Sequence, residues 1–349
     1  MNLSHEEINS FYKEVKIHNS KFDIKDIKEY KLYYKPFGGK HQIFIRKFLN
    51  VSRFRFLCTA IAGWGLNERT IELFKYAKKK GVPFFFVEDG FIRSLYTYVA
   101  DVDSSLRSGI SYIVDTRGYH FDGNIETDLE ILLNSYICTE QQKDYSRAVM
   151  NKIAVNKISK YNNQPIYYKD NIGEANKKVL IIDQSYGDMS LVRGGITDDV
   201  FETMIEDAIN ENPNCEILFK VHPDTIAKNK STEFLNKLDG RVQLIDGLIN
   251  PLVLLDMCEK VYVATSQMGF EALILGKEVH VYGTPFYAGW GLTKDRLCFE
   301  RRKRVLSIEE LFYIVYVVYS NYINPKDNVS CTIDEAIEYI LKIRNLYFE

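Results

Sequence analysis

Short apolar runs alternate with segments of helical periodicity along most of the chain. In the second half, four apolar runs are typical of buried strands, and a polar loop follows each of them: residues 179–182, 216–221, 242–245 and 261–264. Residues 200–210, between the first two runs, place their apolar side chains on one helical face. This order predicts a doubly wound α/β sheet, in which ligands bind at the carboxyl ends of the strands.

The run at 261–264 opens the most informative stretch of the sequence. A polar loop at 265–269 follows it, then an apolar helix at 270–275 and another strand at 278–282. The N–H groups at such a helix start attract anions. Ser266 adds a hydroxyl there, and Glu271 is the one carboxylate of the helix.

The first half has a similar pattern. Strands are predicted at 54–62, 82–87 and 110–115, with helices at 67–80 and 128–134, so a β–α–β order is expected. The strand at 82–87 leads directly into Glu88 and Asp89, which we interpret either as acid/base groups or as ordinary turn acids. The chain is expected to close with helices at 308–322 and 332–346.

A chain of 349 residues suggests two domains. We predict an N-terminal domain at 1–145, a polar interdomain region at 146–176, a second domain at 177–305 and C-terminal helices at 306–349. The formal net charge of -2 argues against nucleic acid as a partner. The six cysteines lack metal-ligand spacing, and the first residues do not form a signal peptide, so we expect a cytoplasmic protein without a bound metal.

Three loops of the second half are expected to line one crevice, because each follows a predicted strand. They contain a carboxylate, an imidazole and a hydroxyl: residues 183–190, His222 with Pro223, and residues 266–271. This set suits a phosphodiester, since the imidazole and the helix start can hold the anion while the carboxylate faces the reacting carbon.

Several motifs resemble a known family. VEDGFIRS at 87–94, DQSYGDMS at 183–190, KVHPD at 220–224 and TSQMGFEAL at 265–273, followed by GKEVHVYGTPFYAGWGLT, are similar to the bacterial capsule β-Kdo glycosyltransferases of the KpsC type. Kdo is 3-deoxy-D-manno-oct-2-ulosonic acid. The resemblance runs from residue 63 to about residue 295, in the family's order. That family usually carries two such modules in tandem, whereas this chain contains one.

The resemblance implies a GT-B-like fold of two Rossmann-like domains facing across a cleft. It also implies a retaining transfer of Kdo from CMP-β-Kdo to a glycan or glycolipid acceptor, through a carboxylate nucleophile and without a cofactor or metal. Asp188 is the expected nucleophile, with Asp183 in reserve, and His222 is expected to hold the CMP phosphate. The other expected donor-binding residues are Lys220, Pro223, Gln184, Ser190, Ser266, Gln267 and Glu271. Arg93, Tyr287 and Trp290 are expected to bind the acceptor, and Glu88 and Asp89 to act as acid/base groups.

Two other functions remain open at this stage. One is a different CMP-sugar transferase, such as a sialyltransferase-like enzyme. The other is a non-catalytic module that binds glycan or lipid within a capsule assembly complex. Because capsule acceptors in the resembling family are lipid-linked, peripheral contact with the inner membrane and with other capsule synthesis enzymes is a further expectation.

Overall fold

The computed structural model describes residues 4–34, 49–52, 54–97, 100–166, 177–185, 187–197, 199–222 and 240–348. Its helices are α1 His5–Asn19, α2 Glu68–Lys80, α3 Asp128–Ser135, α4 Glu140–Asn156, α5 Met189–Arg193, α6 Val200–Glu211, α7 Pro251–Asp256, α8 Met268–Ile274, α9 Ile308–Phe312 and α10 Ile333–Phe348. Its strands are β1 Leu32–Tyr34, β2 Ala60–Trp64, β3 Phe84–Asp89, β4 Ser111–Asp115, β5 Lys178–Ile182, β6 Glu216–Lys220, β7 Val242–Ile245, β8 Lys260–Val263, β9 Glu278–Val281, β10 Lys294–Asp295, β11 Ser320–Asn324 and β12 Val329–Cys331.

The second sheet, with the helices on it, forms what we call the second lobe. Its strands pair in the order β10-β9-β8-β5-β6-β7, and every pairing is parallel. This is the doubly wound order, in which β6 and β7 are added on one side of β5 and β8, β9 and β10 on the other, so that the strand order reverses between β5 and β8. The strands are continuous apolar runs because they are buried on both faces: residues 179–182 and 261–263 have almost no exposed surface. The predicted parallel α/β sheet is therefore confirmed.

The first sheet, with its helices, forms the first lobe, and its strand order is β1-β2-β3-β4-β11-β12. The strands β1, β2 and β3 are parallel, but β4 runs antiparallel to β3. The β–α–β prediction therefore fails after β3, because the described residues of the connection, 90–97 and 100–110, are irregular and contain no crossover helix. Helix α2 does follow the prediction, with Asn67 as its N-cap and Gly81 at its C-cap.

Of the two C-terminal helices predicted, the one at 332–346 is confirmed as α10, whereas the one at 308–322 ends at residue 319. Helix α9 continues into one π-helical segment, Tyr313–Tyr319, and the chain then forms β11 and β12. The strand β11 pairs antiparallel with β4, so residues 320–331 belong to the first sheet. The predicted strand at 54–62 is also shorter, because a 3₁₀ turn, Arg55–Leu57, occupies its start.

The first part of the predicted interdomain region, residues 146–156, is helical. Helix α4 runs through residue 156 and packs against the C-terminal helices, where Tyr145 donates to Asp334 at 2.6 Å and Lys152 pairs with Asp334 at 3.2 Å. One apolar cluster extends through both lobes and includes Phe91, Leu180 and Ile337. Within the described residues, no helix combines the length and apolar character needed to cross a bilayer.

Candidate functional site

The loops that follow β5, β6 and β8 lie at one edge of the second sheet. The register aligns Ile182 with Lys220 on one side and with Val263 on the other. Parallel strands so aligned end together, and their loops meet at the point where the strand order reverses. The structure therefore brings together the three loops that the sequence singled out, although Pro223 lies outside the described residues.

Asp183 and Asp188 occupy very different environments. Both carboxylate oxygens of Asp183 accept main-chain N–H groups, from Gln184 at 2.9 Å and from His222 at 3.0 Å. Asp183 is 9% exposed, so it links the ends of β5 and β6. Asp188 is exposed and caps α5, where its Oδ1 accepts from the Ser190 N–H at 2.9 Å. Of the two acids, Asp188 is the one accessible to a substrate.

Gln184 and Ser190 join the β5 loop to the end of β8. The Gln184 side chain donates to the Thr265 hydroxyl at 3.0 Å and accepts from the Thr265 N–H at 2.8 Å. The Ser190 hydroxyl lies 2.9 Å from the same Thr265 hydroxyl. Gln184 is buried, so in this structure it fixes the loops relative to each other.

Lys220 lies at the end of β6, where its ammonium donates to the Gly247 carbonyl at 2.8 Å. Burial lowers the pKa of Lys220, and the charge of Asp246 opposes that effect. The His222 side chain is partly exposed at the same edge. Lys220 thus has a structural partner of its own, and His222 lies just beyond the carboxyl end of β6.

Three predicted donor-binding residues, Ser266, Gln267 and Glu271, follow β8. The Ser266 hydroxyl accepts from the Met268 N–H at 3.3 Å, and Gln267 reaches the first lobe, donating to the Phe91 carbonyl at 2.8 Å. Glu271 is buried and accepts from the Ser159 hydroxyl at 2.7 Å. Burial raises the pKa of Glu271 to about 7, although the Ser159 hydrogen bond acts in the opposite direction.

Glu88 and Asp89, the predicted acid/base groups, lie at the end of β3 in the first lobe. Burial, together with the neighbouring charge of Asp89, raises the pKa of Glu88 to about 7. Asp89 pairs with the Nε of Arg93 at 3.1 Å, and the Arg93 Nη1 donates to the Arg107 carbonyl at 2.8 Å. Arg93 therefore holds Asp89 in place, while Glu88 carries the perturbed pKa that is typical of a proton-transfer group.

The structure places the three predicted acceptor-binding side chains in the interior. Arg93, Tyr287 and Trp290 are all 0% exposed. The Tyr287 hydroxyl donates to the Ser266 carbonyl at 2.6 Å, and the Trp290 indole donates to the Phe286 carbonyl at 2.9 Å. In this structure none of the three side chains presents a surface to an acceptor, because each is used to support loops and core.

A short connection that the sequence did not single out lies between the lobes. We call residues 159–162 the seam segment. The Lys160 carbonyl accepts from the N–H groups of Arg93 at 2.9 Å and Ser94 at 3.2 Å, and Ser159 binds Glu271 of the second lobe. Asn162 donates to the Ser94 carbonyl at 3.1 Å. The sequence signal for this segment is its polar composition, since residues 159–164 read SKYNNQ.

A second contact between the lobes involves the other end of α5. The side chains of Arg193 and Asp122 have no exposed surface, and the Arg193 Nε donates to Asp122 Oδ2 at 2.7 Å. The Arg193 Nη1 is hydrogen-bonded to His5 Nδ1 at 3.0 Å, and Nη2 donates to Asn9 Oδ1 at 2.5 Å; both partners lie on α1. Helix α5, whose N-cap is Asp188, is thereby anchored to the first lobe. Within the described ranges, no group of three or more His, Cys, Asp or Glu side chains is arranged to hold a metal ion.

Comparisons with known proteins agree with this architecture. LipA of Neisseria meningitidis serogroup B, a capsule polysaccharide modification protein, is 35% identical over 297 residues, covering 82% of this chain and 41% of LipA. LpsZ of Rhizobium meliloti, a lipopolysaccharide-processing protein, is 35% identical over 289 residues, covering 81% of this chain and 64% of LpsZ. The chain therefore spans less than two thirds of the length of either relative.

Two solved structures of Thermosulfurimonas dismutans KpsC are similar over nearly their whole length. The β-Kdo 2,4 transferase has a TM-score of 0.79 and 35% identity, covering 89% of this chain and 98% of that one. The β-Kdo 2,7 transferase has a TM-score of 0.69 and 25% identity, covering 90% and 99%. The GT-B-like arrangement of two α/β lobes is thus confirmed. A family model for capsule polysaccharide biosynthesis proteins matches residues 59–325, and the chain belongs to that family.

Proposed function

We propose that this chain is a retaining β-Kdo transferase, which moves Kdo from CMP-β-Kdo to a glycan acceptor in capsule or related surface polysaccharide synthesis. The observation that carries the proposal is the match to the KpsC β-Kdo 2,4 transferase, which extends over 98% of that chain at 35% identity. The proposal concerns one catalytic module, because LipA is more than twice as long as the region it shares with this chain.

In the proposed first step, the Asp188 carboxylate attacks the anomeric carbon of Kdo. A carbon–oxygen bond forms to Asp188 as the bond to the CMP phosphate breaks, and the phosphate leaves with the electron pair. The exposure of Asp188 supports this role, and the two main-chain hydrogen bonds that occupy Asp183 argue against the alternative. A carboxylate nucleophile also suits a transition state with cationic character, as it does in retaining glycosidases.

In the second step, an acceptor hydroxyl attacks the same carbon and displaces Asp188, giving net retention. Glu88 takes the hydroxyl proton, and its pKa of about 7 suits a base working near neutral pH. Asp89, paired with Arg93, keeps a second negative charge beside Glu88, which helps to keep that pKa raised.

The nucleotide is proposed to bind at the edge where β5 and β8 end. His222 and Ser266 would contact the phosphate, and Gln267 and Glu271 the ribose side of the donor. Glu271 is buried in this structure, so we expect donor binding to exchange its Ser159 hydrogen bond for one to a hydroxyl of the ribose. The reaction is proposed to need no metal, since a CMP monoester can leave with the help of His222.

The test is incubation of the purified chain with CMP-Kdo generated in situ and a panel of short acceptors. We expect acceptor-dependent release of CMP and an acceptor mass increased by one Kdo, unchanged by EDTA. Asp188→Ala should abolish transfer, whereas the matched exposed-acid control Asp199→Ala should not. Without acceptor, intact-protein mass spectrometry should find one Kdo attached at Asp188.

Three results would count against parts of the proposal. Transfer from CMP-Neu5Ac in place of CMP-Kdo would identify a sialyltransferase-like enzyme. Full activity of Asp188→Ala would exclude the covalent route through this residue. Absence of turnover with either donor, together with binding of glycan or lipid, would identify a non-catalytic module.

A further inference from the structure

Lys160 occupies the position where the two lobes meet. Its carbonyl accepts the N–H groups of Arg93 and Ser94, and the preceding Ser159 donates to Glu271 on α8. These contacts fix the Lys160 backbone beside the acids of β3 on one side and the donor-binding helix on the other.

The charge of Lys160 acts on a ring of acidic groups. Burial lowers the pKa of Lys160, but Tyr161 and the carboxyl groups of Asp89, Glu88 and Asp188 raise that pKa above its usual value. Its charge also acts on Glu271 and on His120, whose pKa is lowered to about 3 by burial and then by Lys160. The group therefore stays an ammonium.

The Lys160 ammonium is not committed to any one of these acids. Lys157, three residues earlier, forms an ion pair with Asp256, whereas Lys160 forms no ion pair with a carboxylate among the residues that the structure describes. A charged group that forms no ion pair within the described ranges, held among acids from both lobes, is suited to an anionic ligand. The acids alone would repel such a ligand.

We propose that the Lys160 ammonium binds the carboxylate on the anomeric carbon of a ulosonic acid donor. The inference rests on the proposed function. It assigns a binding residue to the carboxylate on the anomeric carbon, the group that distinguishes Kdo from an aldose. A carboxylate nucleophile that attacks a carbon bearing another carboxylate meets electrostatic repulsion, and a fixed cation between them offsets it. Lys160 also lies near Glu88, so it favours the ionised form of the proposed base.

The test compares Lys160→Met, Lys160→Arg and the control Lys157→Met in the full chain. CMP-Kdo turnover gives kcat and KM, titration calorimetry gives the Kd for CMP, and thermal unfolding checks the fold. For Lys160→Met we expect the KM for CMP-Kdo to rise about tenfold to a hundredfold, because a charged hydrogen bond is lost. The Kd for CMP should stay within twofold, Lys160→Arg should recover part of the loss, and Lys157→Met should match the parent.

The acid limb of the kcat/KM profile gives a second readout. In Lys160→Met it should move to higher pH, because the cation that favours ionised Glu88 is gone. An unchanged KM in Lys160→Met, with an active parent, overturns the inference and leaves the proposed function intact. An equal loss of CMP and CMP-Kdo binding also overturns it, because it assigns Lys160 to the phosphate or to the fold. A parent that neither binds nor uses CMP-Kdo removes both proposals.

Discussion

Arg193→Met tests how strongly the two lobes depend on one buried ion pair. Arg193 and Asp122 have no exposed side-chain surface and are joined at 2.7 Å, so removing the cation leaves a carboxylate buried without its partner. Loss of one member of such a pair costs about 3–5 kcal/mol. The hydrogen bonds to His5 and Asn9 disappear with it. We therefore expect the free energy of unfolding to fall by about 3–5 kcal/mol.

The two tryptophans allow each lobe to be followed separately. Trp64 lies on β2 of the first lobe, and Trp290 follows β9 in the second. Trp64→Phe and Trp290→Phe chains therefore each report on one lobe during urea denaturation. In the parent the two transitions should coincide, since the lobes share one apolar cluster. Adding Arg193→Met should lower both midpoints and separate them, because the contact it removes joins the lobes.

The matched control is Arg296→Met. Arg296 pairs with Asp207 at 3.1 Å and also with Glu211, but its side chain is 38% exposed and all three residues belong to the second lobe. Exposed pairs contribute about 1 kcal/mol or less. If Arg193→Met costs no more than Arg296→Met, the reasoning about burial is refuted. The double variant Arg193→Met/Asp122→Asn should cost less than the sum of its single changes.

Three further outcomes are expected. Asp188→Asn should slow transfer about 10³-fold or more and leave the free energy of unfolding unchanged. Asp183→Asn should lower the free energy of unfolding by about 1–3 kcal/mol, because the main-chain N–H of His222 loses a charged acceptor. Equal effects of the two variants in both assays would contradict this division of roles. Glu88 must be ionised to act as a base, and its pKa is about 7, so kcat/KM should fall as the pH drops below about 7. In a series of rates measured at different pH values, Glu88→Gln should not show this fall. Gly269→Ala should lower the thermal midpoint, equivalent to about 1–3 kcal/mol, because an added Cβ would lie 2.2 Å from the Tyr287 hydroxyl oxygen; an unchanged midpoint would show that the ring can move aside.

The second lobe could be predicted from sequence because its signals are local. Each strand is an apolar run bounded by polar loops, and parallel strands covered on both faces need no partner-specific pattern. The same locality explains the success at α2, where Asn67 and Gly81 mark the ends. Helix α1 was overlooked although it has local signals too: Ser4 and Glu7 form a capping box, and Ile8, Phe11, Tyr12 and Val15 recur at helical spacing.

The predictions that were wrong share a different cause: these elements and side chains depend on contacts with residues that are distant in the sequence. Residues 313–324 are rich in tyrosine, valine and isoleucine and suit a helix or a strand equally well. Ser320–Asn324 forms a strand because it pairs with β4, and no local pattern in the sequence encodes that pairing. Arg93 resembled a ligand-binding side chain because arginine is seldom buried, yet its partner Asp89 makes burial possible. Lys160 escaped notice because its surroundings are assembled from both lobes.

The hairpin of β11 and β12 has a consequence for synthesis of the protein. As the chain leaves the ribosome, β4 emerges long before the segment that will cover its edge. Until then the nascent first lobe presents open backbone donors and acceptors, which invite pairing with other chains. A stop codon before residue 320 would make that exposure permanent. We therefore expect such products to be recovered in inclusion bodies, and expression vectors for this protein should retain the full 3′ end of the coding sequence.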